Sequence, residues 1–123
     1  MDTRRRVLVV EDSNVVRTLL AETLAGAGYD VQVAEDGQAA LGRLDGRDLD
    51  CIVCDLGMPR VDGQTFLGLV RAHPRYRDVP VLVVSYDARA ATRAAVRDAG
   101  AQAFITKPCN CGDLLDAVNR LCS

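Results

Sequence analysis

At 123 residues, with 49% hydrophobic and 26% charged side chains, the chain (1–123) has the size of one domain. Such a domain buries roughly two-thirds of the surface it would expose unfolded. A formal net charge of −2 offers no electrostatic footprint for nucleic acid, no apolar run reaches the roughly 18 residues of a bilayer span, and the N-terminus lacks a signal-peptide pattern. These features predict a cytoplasmic protein with no direct nucleic-acid or membrane partner. Five cysteines, an odd number, argue against a disulfide framework.

Arg4-Arg5-Arg6 is a short basic run that reads as a solvated edge before the first strand. That strand is VLVV, residues 7–10. Helical spacing over 14–27 then puts Val16, Leu19, Leu20, Leu24 and Ala27 on one face. A weaker run, VQVA (31–34), predicts the second strand, and CIVC (51–54) the third. Residues 63–73 return to helical spacing with Phe66, Leu67 and Val70, behind Asp62 as the N-cap. The pattern ends at His73-Pro74, because a residue before proline avoids the α region. VLVV (81–84) predicts the fourth strand, followed by an Ala-rich helix over 88–99 closed by Gly100. AFI (103–105) is the fifth strand. The last helix begins at Asn110, with Asp113 completing a capping-box-like pair, and buries Leu114, Val118 and Leu121.

Continuous β-branched runs without alternation are strands covered on both faces, and such strands are parallel. The chain therefore predicts an α/β fold of five βα units with right-handed crossovers. Ligands of such sheets bind beyond the carboxyl ends of the strands. Those ends carry Glu11 and Asp12, then Asp55, then Ser85, then Lys107. Gathering like charges is unfavourable unless a cation or proton offsets them. Glu11, Asp12 and Asp55 contribute −3 and Lys107 +1, so a divalent ion brings the sum to zero. Oxygen donors of this kind suit Mg²⁺, or Mn²⁺ in its place. A metal, Lys107 and the Ser85 hydroxyl together would hold a phosphoryl group. With no Cys or suitable His in these motifs, Asp55 is the candidate nucleophile, forming an aspartyl phosphate. Taken singly, each residue has a plainer reading, as when Asp12 or Ser13 caps the first helix.

These motifs resemble those of response-regulator receiver domains of two-component signalling, over Val7 to Leu121. VLVVEDS carries the acidic pair, and CDLGMPRVDG carries Asp55, Met58-Pro59 and Asp62-Gly63. VLVVS carries Ser85, and FITKP carries Lys107-Pro108. The resemblance implies a three-layer, doubly wound (β/α)5 fold, CheY-like and flavodoxin-like, with strand order 2-1-3-4-5. It implies a metal held by Asp12, Asp55 and the backbone carbonyl of Gly57, with Glu11 acting mostly through water. It also implies a cis peptide before Pro108. The implied phosphodonor is a sensor histidine kinase or phosphotransfer protein. The receiver catalyses only its own phosphorylation and dephosphorylation and so is not an enzyme in the usual sense. Output is implied through Ser85 and Phe104, which would change the face of helix 4, strand 5 and helix 5 toward a downstream protein or fused output domain. Phosphorylation-dependent dimerisation through that face is open to the family, though no particular residue here calls for it.

Two features depart from the family pattern. Tyr86 follows Ser85 where the family usually has a small residue. Its ring is expected to slow access by small phosphodonors, water or a phosphatase, unless it lies outward on the surface. The cysteines are the other departure. Cys51 and Cys54 point to opposite faces of a strand and cannot share an ion or a disulfide. Cys111 and Cys122 stand about 16 Å apart along a helix. Cys109 and Cys111 are two soft ligands where a structural zinc site needs four. His73 reads as a surface residue at a helix end. Two other functions compete with the receiver. A pseudo-receiver interaction module would be expected to lack the acceptor or the lysine, and both are present. An aspartyl-nucleophile phosphatase would need an acid/base residue where Gly57 stands.

Overall fold

Strand and helix alternate along the whole chain in the computed structural model, which describes residues 4–57 and 62–122. The elements are β1 (Arg6–Val10), α1 (Asn14–Gly26), β2 (Asp30–Ala34), α2 (Gly37–Gly42), β3 (Cys51–Asp55), α3 (Gly63–Ala72), β4 (Val81–Ser85), α4 (Ala90–Asp98), β5 (Ala103–Thr106) and α5 (Cys111–Cys122). All strand pairs are parallel, in the order β2-β1-β3-β4-β5. The expected doubly wound (β/α)5 architecture is therefore the one observed. Of the quoted motifs, Met58-Pro59 lies outside the described residues.

The two-residue period of a strand divides the apolar runs between two cores. Leu8, Val10, Ile52, Cys54, Val81 and Val83 face α2, α3 and α4, where they meet Phe66, Leu67, Val70 and Val96. Val7, Val9, Cys51, Val53, Leu82 and Val84 face α1 and α5, against Leu20, Leu24, Leu114 and Val118. Every residue of β3 and β4 is buried, as strands covered on both sides require. Cys51 and Cys54 accordingly lie in different cores.

Helix starts follow side-chain chemistry. Ser13 Oγ accepts from Val16 N at 3.3 Å, Asp62 Oδ1 from Thr65 N at 2.8 Å, and Asn110 Oδ1 from Asp113 N at 2.7 Å. Gly100 ends α4 with φ 112°, a left-handed conformation that side chains disfavour. The apolar faces depart from expectation in two places. On α1 only Leu20 and Leu24 are buried, while Leu19 is 49% exposed and Ala27 lies past the last turn. The seam against the sheet follows the four-residue spacing of Val16, Leu20 and Leu24, and Leu19 falls on its flank. On α5 the same spacing from Leu114 through Val118 buries Cys122 and leaves Leu121 half-buried. Among the described residues no helix is long and apolar enough to cross a membrane.

One glycine fixes where β3 delivers its last residue. A Cβ on Gly63 would stand 2.2 Å from the Asp55 carbonyl oxygen and 2.8 Å from Leu56 Cα. Backbone cannot yield as a flexible side chain does, so α3 starts against the end of β3 only because residue 63 has no side chain. Gly63→Ala is expected to destabilise the fold by about 2 kcal/mol, read as a lowered urea midpoint at unchanged slope. An unchanged midpoint would mean that the approach of α3 to Asp55 is not tight.

Candidate phosphoryl site at the strand ends

In a parallel sheet every carboxyl end lies on one edge, and the register makes those ends level. Val10 pairs with Cys54, Asp55 with Val84, and Ser85 with Thr106. The polar residues that follow or close these strands therefore meet in one pocket of about 460 Å³, with Glu11, Asp12, Asp55, Ser85 and Lys107 in its wall. Tyr86, Asp87 and Gly57 line it as well. Asp12 is exposed, whereas Glu11, Asp55, Ser85 and Lys107 are buried.

The single ammonium is shared. Lys107 Nζ donates to Glu11 Oε2 at 2.7 Å and lies 3.2 Å from Asp55 Oδ1. The nearer partner is thus the glutamate, not the aspartate. Burial pushes the Glu11 carboxyl above its ordinary value and the Asp55 charge adds to this, while the Lys107 hydrogen bond works against both. Burial disfavours the Lys107 ammonium, but the Glu11 hydrogen bond and the two carboxylate charges outweigh it and leave its pKa raised. Glu11 Oε1 also accepts from Ser13 N at 3.3 Å, and Asp55 Oδ1 from Gly57 N at 3.3 Å. The Ser85 hydroxyl oxygen accepts from Asp87 N at 3.0 Å.

Carboxylate oxygens of Glu11, Asp12 and Asp55 lie within 4.8 Å of one another. An all-oxygen set at this spacing, carrying three formal charges against one ammonium, fits a hard divalent cation such as Mg²⁺. The sulfurs do not join it. Cys111 is exposed and hydrogen-bonds Thr23 Oγ1 at 3.3 Å, and Cys109 packs against the core under α1 and α5. The Lys107–Pro108 peptide is cis. His73, half-buried at the end of α3, meets Tyr76 edge-on.

Tyr86 and Phe104 occupy different surroundings. The Tyr86 ring is 69% exposed, yet Lys107 Nζ sits 5.2 Å from its centroid, so the ring lines the mouth of the pocket from outside. Phe104 is half-buried on β5, away from the carboxylates, with the Arg93 guanidinium over it. Sequence reasoning missed Asp87. Its carboxylate accepts from Arg89 N, Nε and Nη2 and from Thr92 Oγ1, which tethers the loop after Ser85 to the start of α4. These hydrogen bonds, that of the Arg89 side chain foremost, hold its carboxyl well below the ordinary range. No capping pattern marks Asp87, since the N-cap of α4 is Arg89 and makes no side-chain cap bond.

Residues 7–119 match the profile of the response regulator receiver domain. The chain belongs to that family. Receiver domains are generally signalling modules rather than conventional enzymes. Response regulator MprA of Mycolicibacterium vanbaalenii is 35% identical over 116 residues, covering 94% of this chain and 49% of that protein. This receiver spans half or less of the length of the curated relatives it matches. The crystal structure of chemotaxis protein CheY4 of Vibrio cholerae superposes with a TM-score of 0.92 at 31% identity, covering 97% of this chain and 99% of that one. The receiver domain of the sensor histidine kinase PA1611 of Pseudomonas aeruginosa superposes at 0.89 with 27% identity, covering 98% of each, and holds a magnesium ion in its active-site cleft.

If the carboxylates take a divalent ion, Mg²⁺ should stabilise the fold. At a hundredfold excess over its Kd the gain is about 2.7 kcal/mol, seen as a higher thermal midpoint than in chelator. Asp12→Asn and Asp55→Asn should each lose most of that gain. Equal stabilisation of all three proteins would place the ion elsewhere.

Proposed function

We propose that this receiver takes a phosphoryl group onto Asp55 from a phosphohistidine of a sensor histidine kinase or phosphotransfer protein. One observation carries the reading: Asp55 is a buried carboxylate at a strand end, 3.2 Å from a buried ammonium and clustered with two further carboxylates at an open pocket. An Asp55 oxygen attacks phosphorus as the bond to the donor imidazole nitrogen breaks. The electron pair of that bond leaves with the imidazole, which takes up a proton.

Glu11, Asp12, Asp55 and the Gly57 carbonyl would hold Mg²⁺ (or Mn²⁺), which supplies charge neutralisation for the incoming phosphoryl oxygens. Lys107 turns from Glu11 and Asp55 toward one of those oxygens, and the Ser85 hydroxyl donates to another. Movement of Ser85 releases Asp87 N and lets Phe104 shift, which alters the face of α4, β5 and α5. That face would be read by a downstream protein, by an output domain on the same polypeptide, or by a second receiver in a dimer. The domain catalyses only its own phosphorylation and dephosphorylation. Gly57, two residues after Asp55, brings no acid/base side chain for turnover of small substrates.

Tyr86 supports a further element of this reading. Its ring flanks Lys107 at the pocket mouth, where it would hinder small donors and water more than a docked protein. Val15, 79% exposed, and Leu19 extend the apolar surface of α1 on which a protein donor could rest.

Incubation with Mg²⁺ and acetyl phosphate, or with a phosphorylated kinase, should add one phosphoryl group to the intact protein and none to Asp55→Asn. Absence of an Asp55-dependent adduct with either donor overturns the proposal. Tyr86→Ala should speed phosphorylation by acetyl phosphate and loss of the label by about threefold each, roughly 0.7 kcal/mol of barrier. Unchanged rates would remove the access role of this ring.

A further inference from the structure

Phe104 is not held by the core alone. The Arg93 guanidinium carbon of α4 lies 4.6 Å from its ring centroid, within the range of attraction between a cation and an aromatic face. The same guanidinium donates from Nη2 to Thr106 Oγ1 at 3.0 Å and from Nε to the Ala88 carbonyl at 3.4 Å. One side chain thereby joins α4, the loop before it, and β5 on either side of Ile105.

The opposite end of that loop is tied to the pocket. Ser85 Oγ accepts from Asp87 N, and the Asp87 carboxylate holds Arg89 and Thr92 at the start of α4. On the β5 side, Thr106 pairs with Ser85 across the sheet, and Lys107 N donates to the Ser85 carbonyl at 2.8 Å. The Ser85 hydroxyl, the loop and α4 therefore form one bonded unit, and Arg93 joins its α4 end to β5.

We infer that Arg93 is a positioning residue that latches the resting arrangement of the switch. The inference rests on the reading that Asp55 is phosphorylated and that output leaves through Ser85 and Phe104. While the guanidinium covers the ring and is held in place by Thr106, Phe104 cannot follow Ser85 toward a phosphoryl group without leaving that cation. Both contacts lie at the surface, so each is weak. That suits a latch, because a bias of modest size holds the resting state and still yields to a ligand of greater differential affinity. Arg93 and Thr106 are exposed, so removing either strands no buried polar group and the variants should fold.

Coupling is reciprocal: a side chain that favours the resting state opposes phosphorylation, and its loss promotes it. Arg93→Ala should lower the acetyl phosphate concentration that half-labels Asp55 by about fivefold. Arg93→Lys keeps a cation without the planar fork and should fall between, as should Thr106→Val. In the Phe104→Leu background, Arg93→Ala should change labelling much less. A full fivefold effect in that background, or no effect in the parent, would reduce Arg93 to a surface cover for the ring.

Backbone NMR of the unphosphorylated protein gives a second readout. Loss of the latch should shift the resonances of Ser85 and Asp87 as well as those beside residue 93. Shifts confined to the neighbours of residue 93 overturn the latch. Failure of the parent protein to label at Asp55 under any donor would instead sink the phosphorylation reading, and the NMR result would still decide whether Arg93 reaches Ser85.

Discussion

Three carboxylates within 4.8 Å of one another, with one buried ammonium among them, set the terms for this domain. Like charges so close raise the free energy of the folded state unless something positive offsets them. Lys107 does so in part by dividing itself between Glu11 and Asp55, and a formal surplus of two negative charges remains. A divalent cation is the natural complement of such a surplus. The site is thus poised by its own repulsion, and the rest of the fold must hold it together.

The parallel sheet provides that restraint. Strands β3 and β4 are buried throughout and cannot slip in register without turning their side chains into the wrong core. Gly63 lets α3 start against the Asp55 carbonyl, so Asp55 stands at the close of a rigid strand. Sites set on regular elements are positioned more closely than sites on loops alone. The loop after Ser85 is the exception. It is fastened by hydrogen bonds of Asp87 and Arg93 that involve exposed or half-buried groups, which is the place where a change of arrangement costs least.

The two apolar faces that departed from expectation share one cause. Helical periodicity names a stripe of candidates, but on α1 and α5 packing against the sheet buries the members at four-residue spacing. Leu19 and Leu121 are apolar and periodic, and both lie beside the stripe that is buried. The exposed leucine on α1 is then available, together with Tyr86 and Val15, beside the pocket mouth. Cys122, far from Cys111 along the helix, packs in the fold within the same core as Cys51, under α1 and α5, with Sγ donating to the Asp50 carbonyl at 3.9 Å.

The sequence by itself determined the five strands, their parallel pairing and the residues at their ends, because each follows from a local pattern: a continuous β-branched run and the polar residue that closes it. It also determined the caps of α3 and α5, which span three residues each, while the choice of Ser13 over Asp12 at α1 came from the structure. Only the tertiary structure decided that Lys107 lies nearer Glu11 than Asp55, that Tyr86 flanks the lysine from outside, and that Arg93 reaches across to Phe104 and Thr106. These contacts join side chains up to 96 residues apart. Their existence depends on strand register and side-chain direction together, and no pattern within a single segment encodes either.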